Sequence, residues 1–137
     1  MRYQVDDIVK LNNLFDIYHP LLTDKQQAYF KYYFREDYSL SEIAEIMDVD
    51  YFVILTAVEK VSINFGKENQ KDLDKMTVEE AEKYIEEGHF AAGSMLPKVK
   101  AAVKFAKSKK GRKSIIASLD KAGEALDSKT GTLVIYE

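Results

Sequence analysis

Apolar positions recur at helical spacing through the first fifty residues and in strand-like runs after them. Ile8, Leu11, Leu14, Phe15 and Tyr18 share one helical face. That pattern predicts a helix closed at His19-Pro20, because a residue before proline is pushed out of the α region. Thr23-Asp24-Lys25-Gln26 has the form of a capping box, in which the Thr hydroxyl and the Gln amide satisfy free backbone N–H groups. It predicts a second helix to about Phe34, with Ala28, Tyr29, Tyr32 and Tyr33 as a broad aromatic face. Ser39-Leu40-Ser41-Glu42 repeats the capping pattern and predicts a short third helix, with Leu40, Ile43, Ala44 and Met47 facing inward. Asp48-Val49-Asp50 reads as a turn.

From there the period changes. Phe52-Val53-Ile54-Leu55-Thr56 is the β-branched, apolar run of a strand covered on both faces. Val61-Ser62-Ile63-Asn64-Phe65 alternates and stops at Gly66, which predicts a second short strand. Thr77-Val78-Glu79-Glu80 caps a helix ending near Gly88, a candidate C′ glycine. Gly93-Ser94-Met95-Leu96-Pro97 leads into a helix of about ten residues with Val99, Ala102, Val103 and Ala106 on one face. Lys113 to Ser118 reads as a strand, Asp120 to Leu126 as a short helix, and Thr132 to Tyr136, after Gly131, as a last strand. The expected fold class is mixed α+β: a three-helix unit over residues 1–50, then an α/β fragment of three or four strands over residues 51–137.

Composition narrows the function classes. The 137 residues are 46% hydrophobic and 31% charged, ordinary for a globular protein. There is no cysteine, which excludes disulfides and thiolate metal sites. The longest clean apolar run is Tyr51 to Leu55, far short of a membrane helix, and no apolar core follows Arg2 as it would in a signal peptide. A cytoplasmic protein with no membrane partner is the expectation. The net charge of −3 argues against a generic nucleic-acid binder. The charge is uneven: residues 1–50 hold five Lys/Arg against ten Asp/Glu, and residues 51–137 hold fifteen against thirteen. The asymmetry suggests two pieces of different history.

Two resemblances fit that division. "LLTDKQ", Tyr32-Tyr33 and "DYSLSEIAE" make residues 8–49 similar to the YlxM family, small helical proteins of helix-turn-helix type linked to the signal-recognition-particle operon. In that family a polar recognition helix follows the turn. Here Tyr51 to Leu55 takes its place and offers no Arg, Lys, Asn or Gln to read bases, so no DNA partner is expected. "FVILTAVEKVSINFGKEN", "TVEEAEKYIEEGHFAAGSMLPKVKAAVKFA" and "TGTLVIYE" make residues 50–137 resemble the C-terminal half of carbamate kinases, in the amino-acid kinase superfamily. That resemblance implies a three-layer αβα sandwich, a homodimer, and phosphoryl transfer between carbamoyl phosphate and ADP at the end of arginine fermentation. The family's glycine-rich phosphate loop, carbamate site and further catalytic lysines find no counterpart, and the first fifty residues contain no glycine. The chain reads as a fusion of two truncated families, meeting near Asp48–Asp50.

The candidate chemistry follows. Gly93 to Lys98 suits phosphate binding: a glycine for close approach, Ser94 as a helix cap, Pro97 in the first turn, and a helix N-terminus that favours an anion. The resemblance gives Lys98 the role of stabilising the transferred phosphoryl group, as the catalytic residue; a capped helix with an exposed lysine is the plain alternative. By the same resemblance Thr56, Ala57 and Val58 wall a nucleotide pocket, with Asn64, Phe65 and Gly66 nearby and Gly93, Ser94, Met95 and Lys98 around the phosphates. The turn after a strand is the ordinary alternative for the first three. ADP or ATP, with Mg, is the implied ligand, bound weakly, and no protein metal site is expected: His19 and His89 lack partners at metal-ligand spacing and read as structural histidines. Eight Lys/Arg without an acid between residues 98 and 113 could attract phosphate or nucleic acid, or form a solvated face. The rival readings are a DNA-binding or signal-recognition-particle-associated regulator built on the first half, and a non-catalytic interaction module. They are separated by whether the segment after Asp50 is a strand or a recognition helix; Val53, Ile54 and Thr56 favour a strand.

Overall fold

The computed structural model describes residues 3–137. They divide into two compact units, Met1–Ile46 and Met47–Glu137. In the first, α1 (Val5–Tyr18) gives way at the proline to a 3-10 turn, His19–Leu21. Thr23 then caps α2 (Asp24–Phe30) through a complete capping box. The helix does not run on regularly to Phe34: Lys31–Arg35 widens into a π turn. Rings explain what this part of the chain packs around. Phe15 is buried and stacks on Phe30 at 4.3 Å, and Phe30 meets Phe34 at 4.7 Å. Arg35 lies over Phe15 while its Nε and Nη2 donate to Asn12 Oδ1 and Asp16 Oδ1, each at 2.7 Å. The Ser39 capping box is present, with the Ser39 N–H donating to Glu42 Oε2 and the Glu42 N–H to Ser39 Oγ. It starts α3 (Leu40–Ile46), whose buried residues are Ser41, Ile43 and Ala44. Leu40, expected inside, is exposed.

The second unit holds six strands rather than three or four. β1 (Tyr51–Thr56), β5 (Lys113–Ser118), β6 (Thr132–Ile135) and β4 (Lys75–Thr77) form one sheet in the order β1-β5-β6-β4. β2 (Val61–Ile63) and β3 (Lys71–Leu73) form a separate antiparallel pair. β1 runs parallel to β5, so the chain between them must cross over. It does so through α4 (Val78–Glu86) and α5 (Met95–Ser108), the latter fourteen residues long. Thr77 makes the capping box of α4, and Gly88 follows that helix in the left-handed region at φ +75°. The predicted last helix is split into a 3-10 turn, Leu119–Lys121, and α6 (Ala122–Leu126).

Two apolar clusters cover the two faces of this sheet. Val78, Ala81, Val99, Ala102, Val103 and Ala106 from α4 and α5 pack with Met76, Ile116 and Val134. Ala125 of α6 packs with Ile115, Ala117, Val53 and Leu133. Alternate residues of β5 thus point into opposite clusters, and a central strand buried on both faces reads as a continuous apolar run. The buried Ser114 of β5 is satisfied: its Oγ donates to Ala102 O at 2.8 Å. The architecture is mixed α+β, helices first and a helix-covered mixed sheet after.

Candidate functional site at the carboxyl ends of β1 and β5

Parallel strands bring their carboxyl ends to one edge of a sheet, where open α/β folds leave a crevice for ligands. Here Thr56 ends β1 and Ser118 ends β5, opposite one another in register. The first turn of α5 approaches the same edge. Lys98 Nζ donates to Thr56 Oγ1 at 2.8 Å, so two residues 42 positions apart are joined. Both are half-buried.

Val58, two residues after Thr56, and Ser94 and Met95, in the chain leading to Lys98, line a cavity of about 310 Å³ together with Ser62, Phe65, His89, Phe90 and Ala91. Its walls are mainly apolar and aromatic, with a few polar groups, the composition of a small-molecule site. Phe65 is 71% exposed, so its ring is open to a ligand. Ser62 Oγ donates to Asp72 Oδ1 at 2.5 Å; that bond, with the Gln70 amide, holds the Asp72 carboxyl below its ordinary range. His89 bridges two segments. The Asn64 N–H donates to its Nδ1 at 3.3 Å, and Glu87 Oε2 lies 3.1 Å from its Nε2. A backbone N–H can only donate, so Nδ1 is the acceptor and the ring proton sits on Nε2, facing the carboxylate. Tyr84 meets the ring edge-on at 5.6 Å.

The residues singled out in the sequence distribute as follows. Thr56 and Lys98 are bonded, and Val58, Phe65, Ser94 and Met95 line the cavity. Asn64 braces it through His89, at a left-handed φ of +53° that a polar side chain tolerates. Ala57, Gly66 and Gly93 are not among the lining residues. A Cβ at Gly93 would meet nothing within 4 Å, so no local crowding demands glycine there. Ser94 makes no side-chain cap, contrary to expectation: its φ of −138° and ψ of −74° lie outside the extended conformation a capping serine adopts. The backbone closes the turn instead, with the Ser94 and Leu96 N–H groups donating to Ala91 O. Ser62, His89, Phe90, Ala91 and Ser118 were not anticipated. His89 and Phe90 carry a signal, the unbroken string from Gly88 to Lys98, but taken singly His89 has no partner at metal-ligand spacing and reads as a structural histidine.

The basic run is largely engaged within the unit. Lys107 pairs with Glu82 at 2.6 Å, and Lys109 and Arg112 both pair with Asp48 at 2.8 Å. Arg112 is buried over Phe105, and Lys113 lies over Tyr51. Lys109 first, then Arg112, holds the Asp48 carboxyl below its ordinary range. Among the described residues no group of three or more His, Asp or Glu is placed to hold a metal ion, and no helix is long and apolar enough to cross a membrane. The helical unit has hollows of about 480 and 490 Å³, neither at the edge of a sheet.

Comparison with known proteins gives two overlapping likenesses. Residues 5–87 match UPF0122, a family named for helix-turn-helix proteins like YlxM / p13. The carbamate kinase-like protein YqeA of Escherichia coli is 54% identical over 99 residues, 72% of this chain and 32% of that protein. The carbamate kinase of Clostridium perfringens is 49% identical over 100 residues, 73% of this chain and 32% of the enzyme. The carbamate kinase of Giardia lamblia bound to AMP-PNP superposes with a TM-score of 0.68 at 41% identity, covering 71% of this chain and 30% of that one. The chain thus spans about a third of the length of the curated relatives it matches. A 99-residue match leaves at most 38 of the 137 residues before it, and the family match runs to residue 87, so the two likenesses share the chain from α3 through α4.

Proposed function

From a chain that belongs to the UPF0122 family through residues 5–87 and resembles carbamate kinases in its second unit, we propose that this second unit binds an adenine nucleotide at the carboxyl edge of β1 and β5. The observation that carries the reading is the Lys98–Thr56 hydrogen bond beside a small, apolar-lined cavity. Lys98 is the phosphate ligand and the residue that would stabilise a transferred phosphoryl group, because that group's chemistry is mainly positioning and charge neutralisation. Val58, Phe65, Ser94 and Met95 receive the base and sugar, and Ala57, Asn64, Gly66 and Gly93 shape the surrounding turns. A relative crystallised with AMP-PNP supports the ligand class. Mg enters with the phosphates.

Carbamoyl phosphate and ADP together need more contacts than this unit supplies, so the chain by itself binds nucleotide without completing phosphoryl transfer. Few contacts also make the affinity low, with a dissociation constant of about a millimolar. Calorimetry with ADP tests this. Lys98→Ala removes a charge-assisted bond worth roughly 1.5–3 kcal/mol, about tenfold or more in affinity, without harming a helix that alanine favours. Equal binding by both chains would remove Lys98 from the site.

The family likeness raises the DNA-reading alternative, and one feature weighs against it. After α3 the chain enters β1, whereas a helix-turn-helix reader needs a second helix there to enter the major groove. The same strand supports self-association: β1 is an outer strand of its sheet and its six residues carry no charge to discourage pairing with a second copy. Light scattering at micromolar concentration is expected to give a dimer or larger species; a stable monomer would contradict it.

A further inference from the structure

His89 is the only titratable side chain lining the cavity, and it touches the backbone that shapes the cavity wall. The turn from Asn64 to Gly66 has two left-handed positions flanking Phe65: Asn64 at φ +53° and Gly66 at φ +76°. A turn of this kind is held by its hydrogen bonds. The Lys67 N–H donates to Asn64 O at 3.0 Å, the Gly66 N–H to Gln70 Oε1 at 2.9 Å, and the Asn64 N–H to His89 Nδ1. Only the last of these ties the turn to the segment between α4 and α5, and only its acceptor is an imidazole nitrogen, which becomes a donor when it takes up a proton.

We propose that His89 is a positioning residue of this cavity, whose neutral ring holds the Asn64–Phe65 turn in place to receive a base. The proposal rests on the nucleotide reading for its ligand and on the free protein's geometry for its mechanism. In the neutral ring Nδ1 accepts from Asn64 and Nε2–H faces Glu87. A proton added at Nδ1 turns the acceptor into a second donor, and two N–H groups then oppose each other. The turn loses its tie and Phe65 its fixed position. The groups at the ring are Glu87 and Tyr84 from the α4 side, with Lys83 3.8 Å from Glu87; the charged residues Lys67 and Glu68 follow the turn in sequence. Glu87 accepts from Nε2 in both states, so it admits the cation without repairing the lost bond.

The test uses the full chain. ADP affinity of the natural protein and of His89→Asn is measured by calorimetry from pH 8 to pH 5.5, and the Asn64 amide of the free proteins is followed by NMR over the same range. Asn places an oxygen acceptor near the position of Nδ1 and does not titrate; His89→Gln places it near Nε2 instead. The natural protein is expected to lose about threefold to tenfold more affinity on acidification than His89→Asn, the effect of one hydrogen bond. Its Asn64 amide is expected to move together with the His89 ring resonances, and His89→Gln to lack this coupling. Parallel loss of affinity in the natural protein and His89→Asn, which ADP's own titration would produce, overturns the proposal. So does an Asn64 amide that ignores the ring. If ADP binds none of the chains, the nucleotide reading falls, while the Asn64 amide still decides the role of His89.

Discussion

At Lys98 two demands meet. The side chain must stay charged for a phosphate, and its long stem must be held where the phosphate arrives. Thr56 supplies the hold, since its hydroxyl accepts from Nζ at the end of a half-buried outer strand. Thr56→Val keeps the β-branched shape that suits the strand but removes the acceptor. We expect ADP affinity to fall about twofold to tenfold, with Thr56→Ser close to the natural protein, by calorimetry on the three chains. Unchanged affinity in Thr56→Val would mean that Lys98 finds its place without Thr56. These two residues were legible in the sequence, as a lysine in a helix's first turn and a hydroxyl at a strand end. Their contact was not, because it spans 42 positions and depends on how α5 crosses the sheet. The part played by His89 was hidden for a similar reason: a hydrogen bond from a backbone N–H leaves no trace in residue identity.

Elements with strong periodicity or caps were read well. Thr23, Ser39 and Thr77 each cap the helix they announce. β3 and β4 were missed because three-residue strands such as Lys71–Leu73 and Lys75–Thr77 are too short and too charged to show a period. They exist through tertiary bonds, and Thr132 provides two of these. Its Oγ1 accepts from the Val61 N–H at 2.8 Å and donates to Leu73 O at 2.5 Å, tying the β2–β3 pair to β6. Thr132 is wholly buried. Thr132→Val preserves its shape and strands two buried backbone groups, at roughly 1–3 kcal/mol each. Chemical denaturation is expected to show the second unit destabilised accordingly; a midpoint unchanged from the natural protein would count against the tie. Gly131 precedes it at φ +85°, where a Cβ would lie 2.9 Å from Ala117 Cβ and from Ile116 O. The turn signal read from that glycine therefore has a steric cause.

At the scale of the molecule, one chain carries two likenesses that overlap from α3 through α4. A short amphipathic helix after a serine cap serves a helix-turn-helix protein and an α/β unit equally well, since both need a buried apolar face such as Ile43 and Ala44. The β-branched run from Val53 to Thr56 then commits the chain to a strand, inside the stretch that both likenesses cover. The sequence showed this change of period but could not show how far each family's likeness extends. The assignment of the two units, a helical piece of helix-turn-helix type and a carbamate-kinase-like nucleotide binder, is the account's central claim. It is tested most directly by residue-resolved NMR of the whole chain during ADP titration. The account predicts progressive shifts at Thr56, Val58, Phe65, Ser94, Met95 and Lys98, with α1 to α3 silent. Shifts confined to α1 to α3, or none anywhere at ADP concentrations of several millimolar, would contradict it.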